Sequence, residues 1–109
     1  MQVFARLSEA NTGRVRMLAV PEIVNTLDSS ISHDPVDDVH SWALSALANL
    51  AHETLGRTTI LNCPQLVGRL LELSAGDECS SQARQHAMLA VAHLTEVPVG
   101  RTAVLQVLF

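Results

Sequence analysis

The apolar positions of this chain recur three and four residues apart, and the same pattern is written more than once. Ala83, Ala87, Ala90, Val91 and Leu94 fall on one face of a helix. An earlier stretch repeats that face with Val39, Ala43, Ala46, Leu47 and Leu50. The two patterns predict long helices over about residues 36–51 and 80–95. Between them, Ile60 and Leu61 mark a short helix running from Gly56-Arg57 to about Asn62. Leu66, Val67, Leu70, Leu71 and Leu73 then give a wide apolar face to a helix over residues 64–73. Cys63-Pro64 separates these two helices, because proline has no N–H for the preceding turn yet suits the first position of a new helix. Ser74-Ala75-Gly76-Asp77 stops the second, with Gly76 as a left-handed C-terminal cap. Asp34 before Pro35 reads as the N-cap of the first long helix.

Each long helix ends in the same phrase: FARLSEANTGR at residues 4–14, LANLAHETLGR at 47–57 and VAHLTEVPVGR at 91–101. The Gly-Arg pairs stand at 13-14, 56-57 and 100-101, spacings of 43 and 44 residues. Ala5, Ala48 and Ala92 keep this register, as do Leu7, Leu50 and Leu94, and Pro21 with Pro64. A period in this range predicts an all-α helical solenoid, three helices per period, of the armadillo or HEAT kind. The chain divides into the end of a third helix (1–12), a repeat (13–55), a second repeat (56–99) and the start of a further one (100–109). The repeated glycine is expected in the turn out of the long helix, where positive φ costs it little. The arginine is expected to cap the carbonyl end of the preceding long helix or to pair with a loop carboxylate. A row of anion-binding arginines, Arg14, Arg57 and Arg101, is the alternative.

Composition narrows the function. The chain is 48% hydrophobic and 17% charged, which is globular rather than disordered, and its 3% aromatic content favours close-packed helices. The net charge of −4 and the scattered arginines lack the electrostatic footprint of a nucleic-acid binder. No apolar run approaches the ~20 residues of a membrane span. Met1-Gln2-Val3-Phe4 lacks the basic start and apolar core of a signal peptide. Two cysteines do not make a disulfide framework, so an intracellular setting is expected, cytoplasmic with the nucleus as the alternative. Cys63 is expected to pack at the helix junction, and Cys79, beside Asp77-Glu78, lacks the positive surroundings of a reactive thiol. No CxxC, HxxxH or HExxH occurs, and His86 and His93, seven residues apart, stand about 10 Å apart on a helix, too far for one zinc at ~2.1 Å. No metal or cofactor is expected. No nucleophile–base pair, phosphate loop or paired carboxylates stand out, so the chain does not read as an enzyme.

Three motifs resemble the armadillo repeat. Leu47-Ala48-Asn49-Leu50-Ala51 is similar to the Leu-Ser-Asn-Leu-Ala close of that family's third helix. Gly56-Arg57 followed by Ile60 resembles its Asn-Arg-x-x-Ile start of a first helix. Leu66-Val67 with Leu70-Leu71 resembles its second-helix Leu-Val-x-Leu-Leu. The resemblance spans essentially the whole chain, with a HEAT-like repeat as the second choice. It implies a right-handed α-solenoid of about two full repeats and a partial one, whose third helices line a groove. An extended or helical segment of a partner protein would lie there.

The groove ladder implied is Arg6, Asn49 and His93, with Trp42 and His86 two turns earlier on the same face and Ser45 and Leu89 between. Asn49 has the donor and acceptor to pair an extended peptide backbone, and Trp42 offers a rigid apolar wall. The competing reading packs Trp42 into the core between helices. Two departures limit what carries over. Ser45 stands where the family has its binding tryptophan, four residues before the asparagine, and Val20-Pro21 and Cys63-Pro64 replace a usual glycine. The full Trp/Asn clamp of import-signal receptors is therefore not implied. The resemblance implies a non-catalytic protein–protein interaction scaffold. The alternative is a structural module that self-associates through uncapped ends, since the chain opens inside a long helix and closes on the apolar run from Ala103 to Phe109.

Overall fold

The computed structural model describes residues 2–20, 22–33, 37–75 and 81–108. These form eight α-helices and no strand: α1 (Gln2–Ser8), α2 (Asn11–Leu18), α3 (Ile23–His33), α4 (Asp37–Ala51), α5 (Thr54–Leu61), α6 (Pro64–Ala75), α7 (Ser81–Leu94) and α8 (Pro98–Leu108). The chain is all-α. The expected caps Asp34 and Gly76, together with Pro21, Cys79 and the side chain of Val39, lie outside the described residues.

The apolar faces read from the sequence are the faces that pack. Ala43, Ala46, Leu47 and Leu50 on α4, and Ala83, Ala87, Ala90 and Leu94 on α7, are all buried. Leu66, Val67 and Leu70 of α6 join the same core, with Leu71, Leu73 and Cys63 packed at its edge. The alanines let helix axes come close, and α4 uses this on two sides: it packs against both α1 and α7. The row α1–α4–α7 is backed by α3 on α4 and by α6 on α7. Arg69 Nε of α6 lies 3.5 Å from Asp28 Oδ1 of α3, an ion pair that ties these backing helices together.

The recurring phrase folds the same way each time. At the end of the long helix, Glu9, His52 and Glu96 donate their backbone N–H to the carbonyls of Arg6, Asn49 and His93. The next helix then begins with the N–H of Arg14, Arg57 and Arg101 donating to the carbonyls of Ala10, Glu53 and Val97. The short helices thus start earlier than the Gly-Arg pair: α5 opens at Thr54, so Gly56 already lies in its first turn.

That placement corrects the expected role of the glycine. No described glycine has positive φ. The start of each short helix instead crosses the last turn of the preceding long helix, or of α1, at contact distance. A Cβ on Gly13, Gly56 or Gly100 would fall inside the carbonyl oxygen of Leu7, Leu50 or Leu94. Glycine is required because it has no side chain where two backbones meet, not because it reaches an unusual backbone conformation.

One helix runs past its counterparts. α8 has 11 residues against 8 for α2 and for α5. Where α5 is followed by Cys63-Pro64, the corresponding residues after Gln106 are Val107-Leu108, and without a proline the helix continues. The extra turn packs on α6, with Val107 Cγ1 standing at the face of Gly68. Among the described residues, no helix is long and apolar enough to cross a membrane.

Candidate functional site: the face of α4 and α7

Because α4 and α7 lie side by side in register, residues one period apart become neighbours across the pair. Trp42 and His86 line one cleft of about 160 Å³ with Ser41 and Gln82. The sequence pointed to Trp42 and His86 but not to Ser41 and Gln82. Gln82 is one turn before His86, so the helical spacing that selected His86 also selects it. Trp42 keeps 37% of its surface exposed, which sets aside full packing in the core. One turn on from Trp42 and His86, Ser45 is half-buried, and Leu89 is 47% exposed although it is a large apolar residue. Burial alone acts on His86: the ring loses water contact and its pKa is lowered from the ordinary 6.5, favouring the neutral form.

Farther along the same face, the variable letter of the phrase is engaged inside the molecule. Asn49 Nδ2 donates to Ser8 Oγ of α1 at 3.0 Å, and the buried Ser8 hydroxyl donates in turn to the Ala5 carbonyl at 2.7 Å. His93 has the matching role in the next period. Its ring meets that of His52, just beyond the end of α4, edge to face with centroids 5.1 Å apart, and its Nδ1 lies 3.1 Å from Glu96 Oε1. Each of these residues reaches back 41 positions to the end of the preceding long helix. Asn49 and His93 are therefore joints between successive long helices as well as rim residues of the face. Arg6, the first of the ladder, is exposed on α1. Ser8 and His52 were not singled out in the sequence, since they are recognisable only once α1, α4 and α7 are placed side by side. Among the described residues, no group of three or more His, Cys, Asp or Glu is arranged to hold a metal ion.

The three arginines of the phrase differ in their engagement. Arg14 Nη1 donates to the Ser8 carbonyl at 2.9 Å, and its Nε binds Glu53 Oε1 at 2.8 Å. Arg57 Nη1 donates to the carbonyls of Ala51 and His52 at 3.1 and 3.0 Å. Both side chains close the exposed C-terminal carbonyls of the helix before them. These are the cap and the carboxylate pair expected of the arginine. Arg101 is exposed and makes no such bond among the described residues.

A second concave region was not signalled by any motif. It runs between α5 and α8, about 460 Å³ in its largest lobe, and is lined by Thr54, Leu61, Asn62, Val97 and Val99. Its apolar residues are Leu61 at the end of α5, Val97 just before α8 and Val99 in the first turn of α8, too few on any one helix for a spacing pattern to separate core from surface.

Comparison with protein-family models, with curated proteins and with solved structures finds no match to this chain.

Proposed function

We propose that this chain is a non-catalytic interaction scaffold, built as a right-handed armadillo-like α-solenoid, that binds a segment of a partner protein across the face of α4 and α7. The row α1–α4–α7, the 43- and 44-residue period and the shared hydrogen bonds of the turn at each period support the solenoid reading. The observation that carries the binding reading is Trp42: the single tryptophan of the chain stands part-exposed beside His86 in a cleft, with Leu89 exposed farther along the same face. Rigid aromatic residues in such clefts are the usual anchors of protein recognition. Ser41, Gln82 and His86 supply hydrogen-bonding groups around the anchor. Asn49, at the rim of the face, fixes α4 to α1, and a peptide backbone running past it would meet its remaining carbonyl oxygen.

The test is a selection from a random peptide library on the immobilised chain. Binders that lose at least about tenfold in affinity for Trp42→Ala, and keep it for Glu72→Ala at an exposed position of α6, support the reading. Binders indifferent to Trp42→Ala and to His86→Ala would place the recognition surface elsewhere, the α5–α8 cleft first.

A further inference from the structure

The turns after α1 and α4 are built alike, but the arginine of the second has no acid. At the first turn, Arg14 Nη1 donates to the Ser8 carbonyl, and its Nε takes the carboxylate of Glu53, from the next period, at 2.8 Å. At the second, Arg57 Nη1 donates to the carbonyls of Ala51 and His52, and Nη2 reaches Thr54 Oγ1 at 3.3 Å. Arg57 Nε makes no bond among the described residues.

The backbone identifies the residue that would serve it. The carbonyls of Glu53 and Val97 hold equivalent places, since each accepts the N–H of the arginine that follows, Arg57 and Arg101. Val97 thus stands for Glu53 one period on, and it has no carboxylate to give. Its neighbour Glu96 places Oε1 3.1 Å from His93 Nδ1 instead. Arg57 and Val97 line the same cleft between α5 and α8, of about 460 Å³, with Leu61 and Val99 as further apolar walls. Val99 is 69% exposed.

We infer that this cleft binds a small carboxylic acid with an apolar body. The carboxylate sits on Arg57 Nε, as that of Glu53 sits on Arg14, and the body covers Leu61, Val97 and Val99. A charge-assisted bond of this kind is about twice as strong as a neutral one. Thr54 and Asn62 add hydrogen-bonding groups to the same cleft. Its volume falls within the ~300–1,000 Å³ of small-molecule sites. The walls are helices, whose backbone groups are largely paired within them, so an extended peptide would find few backbone partners here. An apolar body needs none.

Calorimetric titration of the chain with octanoate tests this, beside octanamide, which keeps the apolar body without the charge, and acetate, which keeps the charge alone. Octanoate is expected to bind with a Kd of about 1 mM or tighter, and the other two at least about tenfold more weakly. Arg57→Gln is expected to lose at least about tenfold in affinity, but it also disturbs the α4 cap, so Val97→Glu is the deciding variant. It rebuilds the pair of the first turn within the chain. Octanoate affinity is expected to fall at least about tenfold while the melting temperature holds or rises. A lower melting temperature for Val97→Glu shows that no carboxylate fits beside Arg57 and overturns the proposal. Wild type that binds no octanoate up to about 10 mM also overturns it. So does octanamide binding as tightly as octanoate, or a Val97→Glu chain that binds octanoate as wild type does. An N-acetylated peptide ending in leucine that binds at least about tenfold more tightly than octanoate overturns it too, since the occupant is then a chain end of a partner protein.

Discussion

At the scale of the residue, the three glycines of the phrase carry the sharpest stability claim. In an exposed helix, glycine to alanine gains about 1 kcal/mol. At Gly56 the added methyl meets the Leu50 carbonyl, and overpacking of this kind costs about 1–3 kcal/mol or more. Backbone is the obstacle, not a flexible side-chain tip, so the clash wins. Gly56→Ala is expected to lower the urea-unfolding free energy by about 2 kcal/mol, and a stabilised variant would disprove the close crossing. His86 gives a pH-dependent counterpart. Its folded-state pKa lies below the unfolded value of 6.5, so between the two the unfolded chain binds more protons. Stability from this residue is whole above pH 6.5 and is lost as pH falls through the interval below it. His86→Gln should flatten the fall in denaturation midpoint between pH 6.5 and 5 relative to wild type, whereas an unchanged slope would mean the ring is as well solvated folded as unfolded.

At the scale of the element, the joint between a long helix and the short one after it does more than turn the chain. The arginine closes the last carbonyls of one helix from within the first turn of the next, so the two cannot separate without uncovering acceptors. The cost of removing it follows its engagement. Arg14→Ala loses a cap and a part-buried ion pair and should cost about 2 kcal/mol. Arg101→Ala, with no such bond, should stay within about 0.5 kcal/mol. Thermal or urea unfolding of the two variants checks this, and equal losses would show that the letter acts through helix propensity alone.

Much of this level was legible in the sequence. Period, helix order and apolar faces follow from spacing, and the two proposed roles of the arginine are both present. The reason for the glycine was not legible, because a turn and a close crossing select the same residue. Nor was the inward engagement of Asn49, whose partner Ser8 lies 41 residues away and is identified only by packing α1 on α4.

At the scale of the whole molecule, the row α1–α4–α7 decides which residues share a face. Its broad face, set by where α4 and α7 bring Trp42, His86 and Leu89, is the proposed peptide-binding surface. The sequence pointed to the residues of the broad face through the resemblance and their spacing.

Binding across the broad face is open to direct measurement through the chain's own fluorophore, since Trp42 is its only tryptophan and it contains no tyrosine. Peptides selected on the wild type are titrated into the chain while Trp42 emission is recorded. A partner segment that covers the part-exposed indole is expected to give a saturable blue shift, with the same dissociation constant obtained by calorimetry. Saturable binding by calorimetry with Trp42 emission unchanged would contradict recognition at this face.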